Sequence, residues 1–300
     1  MQTVTVLLPI PVERAYSYAV PQGMVLQPGD IVQVPIGPRM VAAAVWDGPV
    51  DDVDPGKLKQ VEKKFDCPGL DENMRRFVDW VANYYVMPAG MVLKMVLRVP
   101  EALEPPGSIA GLRYSGGEPD RMTKARQAVL ELAREGGAWT KSGLAHAAGV
   151  SASVVSGLSD MGIFEPVEIP LPRLTHDPDP DFDVPDLNEM QQEAAAKLRT
   201  SVYKGGFSAT LIDGVTGSGK TEVYFEAVSA ALKAGKQVLI LLPEISLTTS
   251  FLERFEQRFG TRPAEWHSEI SPKKRERCWR QVATGQIRVV AGARSALFLP

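Results

Sequence analysis

Hydrophobic and polar positions along the first hundred residues follow a strand-like pattern and then change period. The runs "TVTVLLPI" (3–10), "YSYAV" (16–20), "DIVQVPI" (30–36) and "MVAAAVW" (40–46) read as strands, separated by turn signals such as Gln27-Pro-Gly-Asp30. From Asp71 the apolar positions Met74, Phe77, Val78, Val81, Ala82 and Tyr85 fall on one face of a helix. "NYYVMPAGMVLKMVL" ends that region, and "PEALEPPGSIAG" reads as a linker. A second helical pattern begins at Lys124–Arg134, with Ala125, Ala128, Val129 and Leu132 inward. "WTKSGLAHAAGVSASVVSGLSDMGIFE" then reads as helix, Gly-centred turn, helix, with Ser151 or Ser153 as an N-cap, and short apolar strands follow. That is the outline of a winged helix-turn-helix. Its recognition helix, Ser153–Met161, lacks the Arg, Lys, Asn and Gln that read bases, so direct base readout is not expected. Phosphate contact through Arg121, Lys124, Arg126 and Lys141 stays open, as does a role as spacer or docking module.

"HDPDPDFDVPD" (176–186) is dense in Asp and Pro and predicts an extended linker. A third unit follows. Ala209–Asp213 reads as a short buried strand, Glu222–Lys233 as a helix closed by Gly235, and Val238–Leu242 as another buried strand. Between the first strand and the helix stands Gly214-Val215-Thr216-Gly217-Ser218-Gly219-Lys220-Thr221, the spacing of a phosphate-binding loop. The glycines let the backbone turn its N–H groups onto phosphates, helped by the helix N-terminus. Lys220 is the candidate for the β and γ phosphates of ATP, and Thr221 for Mg2+. Upstream, in "LNEMQQEAA", the Gln191 amide has the donor–acceptor pair that suits an adenine edge. Pro243 and Glu244 follow a strand end, where α/β sites form. "RVVAGARSALF" (288–298) repeats strand then small-residue loop, and its Arg294 and Ser295 can hold a nucleic-acid phosphate. "SPKKRERCWR" carries a cation run from Lys273 to Arg280, by default a solvated helix face and alternatively a DNA contact. His267 in "WHSEIS" is a weaker candidate.

Composition narrows the classes. The net charge of −3 excludes a uniformly basic nucleic-acid coat, so any such contact is local. The two cysteines, Cys67 and Cys278, stand in no metal-ligand spacing and read as free thiols of a reducing cytosol. The start carries no signal-peptide pattern, and no apolar run reaches the length of a membrane span, so a cytoplasmic protein is expected.

"GVTGSGKTEVY", "LLPEISLT", "WHSEIS" and "GARSALF" occur in the order found in the PriA family of primosomal replication-restart helicases. "LNEMQ" resembles that family's adenine-reading motif, and "LPIPVERAYSYAVPQGMVLQPGDIVQVPIG" resembles its start. The resemblance implies a multidomain α/β and β chain. Residues 1–105 would be a small β-barrel-like domain holding a DNA 3′ end, with Tyr16 and Ser17 in its pocket, where the family often has Phe then Asp. Residues 106–172 would be a winged helix, 173–186 a linker, and 187–300 an incomplete RecA-like first helicase lobe. It also implies an ATP- and Mg2+-dependent 3′–5′ helicase acting on abandoned forks and D-loops, with primosome proteins and single-stranded-DNA-binding protein as partners. The family's zinc-binding Cys cluster and its Asp-Glu-Glu-His motif do not occur here, so the chain resembles the N-terminal part of a longer protein, expected to bind ATP without turning it over. Rival readings are a non-enzymatic DNA-structure-binding fragment and another P-loop enzyme, such as a small-molecule kinase.

Overall fold

The structure is a computed structural model and describes residues 2–50, 58–105, 107–243 and 249–300. Strands β1 (Thr3–Leu7), β2 (Tyr16–Ala19), β3 (Ile31–Ile36), β4 (Arg39–Val45) and β5 (Lys63–Lys64) pair antiparallel in the order β2-β1-β4-β3-β5. Side chains alternate across a strand, so Val6 and Leu8 enter one core with Val32, Val34 and Val45, while Leu7 enters another with Ile31, Ala44 and Trp46. Both faces of the sheet are therefore covered. The segment before β5 also reaches β2, where the Ala19 N–H donates to the Lys59 carbonyl at 2.9 Å and the Val61 N–H to the Ala19 carbonyl at 3.0 Å.

Helix α1 (Glu72–Tyr85) starts at Asp71, whose carboxylate accepts the Met74 N–H at 2.7 Å. The sequence pattern for it holds. The next segment contains a helix that the pattern did not reveal, α2 (Ala89–Val96). Gly90 permits it to lie against β1: a Cβ there would stand 2.2 Å from the carbonyl oxygens of Leu8 and Ile10.

Residues Pro106–Pro172 form a compact unit of their own. Strands β6 (Ser108–Tyr114), β7 (Ala138–Trp139) and β8 (Phe164–Pro170) pair antiparallel in the order β7-β6-β8. Helices α3 (Lys124–Arg134), α4 (Lys141–Ala147) and α5 (Ala152–Asp160) close over Val129, Leu130, Leu144, Val155, Leu158 and Phe164. Thr123 and Thr140 cap α3 and α4 through their hydroxyls. Ser151 is the N-cap of α5 by backbone position, but its hydroxyl pairs with that of Ser153 at 2.8 Å.

Past the 173–186 segment come α6 (Glu189–Lys204), α7 (Lys220–Lys233), β9 (Val238–Leu241), α8 (Thr249–Phe259), β10 (Ala264–Trp266), α9 (Pro272–Ala283) and β11 (Val289–Gly292). The three strands are parallel in the order β10-β11-β9. Phe225 of α7 meets Phe255 and Phe259 of α8 edge to face, at centroid distances of 5.7 and 5.4 Å. The segment expected to be an extended linker is instead strapped onto this lobe. The Asp179 N–H donates to the Phe259 carbonyl at 2.9 Å, and the Pro180 carbonyl accepts from Arg258 at 2.8 Å. Burial of Arg258 and the fit of Phe182 against Gly260 give an Asp/Pro stretch partners that its composition does not announce.

Residues Met1–Pro105 and Arg173–Pro300 make one compact unit, where the sequence suggested separate bodies. The join is α9. Its Trp279 indole donates to the Val96 carbonyl at 3.1 Å, and its Arg280 guanidinium to the carbonyls of Ala102 (3.1 Å), Glu104 (2.7 Å) and Asp66 (2.8 Å). The cation run of this helix is thus not a solvated face throughout: Cys278, Trp279, Gln281 and Val282 are buried and Arg280 is spent on carbonyls. Among the described residues no helix is long and apolar enough to cross a membrane.

Candidate functional site

The Gly-rich loop precedes α7, as its sequence requires. Gly219 is the N-cap of α7 with φ 81°, and Gly217 has the same angle, conformations that favour glycine. Lys220 folds back on the loop: its ammonium donates to the carbonyls of Gly214 (2.7 Å) and Val215 (2.8 Å). Gln191 closes the loop from outside. Its Nε2 donates to the Ser218 carbonyl at 2.9 Å, while its Oε1 accepts the Asn188 N–H at 3.0 Å. The Asn188 Oδ1 accepts the Gln191 N–H at 2.9 Å, which completes a capping box on α6. A Cβ on Gly219 would stand 2.3 Å from Gln191 Nε2, so a larger residue there would be strained at φ 81° and would displace this amide.

Beside the loop, Arg254 Nε donates to Glu222 Oε1 at 2.8 Å. Burial pushes the Tyr224 phenol above its ordinary value, opposed by its hydrogen bond to Thr221 and by the Arg254 charge. The structure thus gathers Gly214, Val215, Gly217, Ser218, Gly219, Lys220, Thr221 and Gln191 in one place, with Thr216 in the same loop. The strand expected at Ala209–Asp213 does not form. Those residues are largely exposed, Leu211 by 90%. An apolar stretch becomes a strand only beside a hydrogen-bonding neighbour, and the β10-β11-β9 sheet pairs with none of them among the described residues. Glu244, a candidate from the strand-end position, lies outside the described residues; Pro243 follows β9.

The nucleic-acid candidates lie elsewhere. Tyr16 opens the edge strand β2 and is 48% exposed, and Ser17 sits across from Thr5. Neighbouring Tyr18 donates its hydroxyl to the Pro35 carbonyl at 3.1 Å; burial first, and the Tyr16 phenol second, raise its pKa. Arg294 and Ser295 occupy the short 3-10 turn after β11 and line a groove with Trp266 and Phe298. Neither the nucleotide loop nor Tyr16 and Ser17 line that groove. Lys94 and Arg98, which the sequence reading passed over, do. Their signal was the i, i+4 spacing of "MVLKMVLR", hidden by the apolar run around it. His267 is a turn residue here: its Nδ1 accepts the Glu269 N–H at 3.3 Å and its Nε2 lies 3.5 Å from Glu265.

Known proteins match the same two regions. Residues 5–98 match the family described as the 3′ DNA-binding domain (3′BD) of PriA, and residues 185–297 match the family described as type III restriction enzyme, res subunit. The replication restart protein PriA of Haemophilus influenzae is 33% identical over 318 aligned residues, covering 99% of this chain and 42% of its own length. That of Rickettsia felis is 28% identical, covering all of this chain and 36% of its own length, and that of Bacillus subtilis is 40% identical over 114 residues. The chain therefore spans less than half the length of these relatives. Its two halves, the antiparallel sheet at the start and the loop-bearing lobe, are each matched and are joined in one relative along the whole chain, so the chain belongs to the PriA replication-restart family.

Proposed function

We propose that this chain is the DNA-reading part and first motor lobe of an ATP-dependent 3′–5′ DNA helicase of superfamily 2, cytoplasmic, that recognises abandoned forks and D-loops and starts primosome assembly. The observation that carries the reading is the glycine loop closed by Gln191 on the same compact unit as a sheet that matches a 3′ DNA-binding domain. Within it, residues 1–105 act as a barrel-like end-binding domain, supported by the closure between β2 and the segment before β5. Residues 106–172 act as a winged helix, supported by three helices over a three-stranded antiparallel sheet. Primosome proteins, single-stranded-DNA-binding protein and zinc chemistry follow from the family resemblance.

The loop fits ATP and Mg2+. Lys220 would exchange two carbonyl acceptors for phosphate oxygens, Thr221 would offer its hydroxyl to Mg2+, and Gln191, already oriented by Asn188, would turn its amide to the adenine edge. Bound ATP supplies the free energy of phosphoanhydride hydrolysis. A second reading, DNA binding without turnover by these 300 residues, is supported by the unpaired segment before the loop. The test is titration with a fluorescent ATP analogue. Lys220→Ala should weaken nucleotide binding by about tenfold or more, the loss of one charge-assisted contact of roughly 1.5–3 kcal/mol, while sparing fork binding. Full nucleotide affinity in Lys220→Ala would overturn the site.

A further inference from the structure

A groove of about 880 Å3 lies between α2 and the 3-10 turn after β11, walled by both halves of the large unit. Its wall along α2 and the residues flanking that helix, Met87, Met91, Lys94, Met95 and Arg98, interleaves flexible apolar side chains with two cations. The other face of that helix, Val92, Leu93 and Val96, is buried, so the Met and cation face is the one left for something else. Across the groove stand Arg294, Ser295 and Phe298. Among the described residues no acidic side chain lines it. Lys94, Arg98 and Arg294 have neither an ion pair nor a hydrogen-bond partner among the described residues.

From this charge pattern we infer that the groove is a site for single-stranded DNA, in which Lys94 and Arg98 hold phosphates and the methionines receive base faces. The inference rests on the DNA-handling reading above and adds the N-terminal half of the chain to the contact surface of Arg294 and Ser295. Three uncompensated cations facing one concavity select a polyanion. A wall of methionines selects one that also presents flat, polarisable faces, because thioethers pack well against rings. Duplex DNA keeps its base faces stacked inside and gains nothing from that wall; an unpaired strand offers both. The volume is at the upper end of the roughly 300–1,000 Å3 of ligand pockets, room for a short stretch of strand and not for a whole duplex.

The experiment uses the 300-residue chain and a labelled circular single strand, which has no 3′ end and so cannot engage Tyr16 and Ser17. Anisotropy titrations at several salt concentrations compare wild type with Lys94→Glu/Arg98→Glu and with Lys94→Gln/Arg98→Gln. Both side chains are exposed, so thermal melts of all three proteins should coincide; if the Glu pair melts early, the Gln pair decides. The expected result is a loss of about tenfold or more in affinity for the circle. The salt slope should fall by about 1.4, two contacts at roughly 0.7 each. The preference between linear forks ending in 3′-hydroxyl and 3′-phosphate should not change. Unchanged affinity and slope for the circle in both variants would overturn the groove assignment while leaving the rest intact. So would loss of binding to an acidic peptide with DNA binding retained. If wild type binds neither the circle nor any fork, the DNA reading of the whole chain fails, and this inference with it.

Discussion

Glu226 sits 8% exposed between two arginines, accepting from Arg199 at 2.9 Å and from Arg258 at 3.1 Å. Arg258, equally buried, also holds the Pro180 carbonyl, so one carboxylate fixes α6, α7, α8 and the Asp/Pro strap together. Glu226→Ala leaves Arg258 buried without its charge partner, a loss on the order of 3–5 kcal/mol. A urea melt should show the midpoint moving down accordingly, and a shift below about 1 kcal/mol would mean the network relaxes into solvent. Asp79 carries a different signature. Asp79 keeps solvent contact, but partial desolvation of its carboxyl raises its pKa, partly offset by the hydrogen bond from the Trp46 indole at 3.2 Å. The folded state therefore takes up the proton more readily than the unfolded one, and the charged form costs stability at neutral pH, a cost relieved as pH falls through the folded pKa. Asp79→Asn keeps an acceptor for Trp46 and removes the charge. Melts should show it more stable than wild type at pH 7, with the gain vanishing near pH 3; a destabilised variant at pH 7 would contradict the desolvation account.

Among the elements, α6 and the nucleotide loop share one residue. Gln191 completes the capping box and holds Ser218, so Gln191→Ala should lower helix stability by about 0.5–1.5 kcal/mol, the net worth of a hydrogen bond, and weaken ATP binding together. Denaturation and nucleotide titration check both; a stability loss with unchanged nucleotide affinity would reduce Gln191 to a cap. The helices with clear periodicity, α1 and α3, and the strands with alternation, β1 to β4, were legible in the sequence because each buries one face in a repeating pattern. Helix α2 was not, since Gly90 and its all-apolar surroundings mask a face that matters only against β1. Ala209–Asp213 misled in the other direction: its apolar run is real, but strand formation is a property of the neighbour as much as of the segment. The glycine loop with Lys220 and Thr221 was legible because its residues are adjacent in the chain, while Lys94, Arg98 and Arg294 share one groove only through the fold.

At the scale of the molecule, the seam at α9 makes the N-terminal sheet and the loop-bearing lobe one body. Arg280 alone serves carbonyls from Asp66 to Glu104, so Arg280→Ala strips several carbonyl acceptors of their donor at once. It should lower the melting temperature by about 2–12 °C, for a loss of roughly 1–3 kcal/mol, without touching the nucleotide loop. The central claim is that this body holds the 3′ end of a DNA strand at Tyr16 and Ser17. The most direct measurement is a titration at about 150 mM salt, where nonspecific duplex binding is weak. It compares two forks that differ only in a 3′-hydroxyl or a 3′-phosphate, with wild type and Tyr16→Ala. The account predicts modestly tighter binding of the 3′-hydroxyl fork by wild type. Tyr16→Ala should lose about 5- to 150-fold, the roughly 1–3 kcal/mol of one stacked base. Equal binding of both forks, with no effect of Tyr16→Ala, would contradict it.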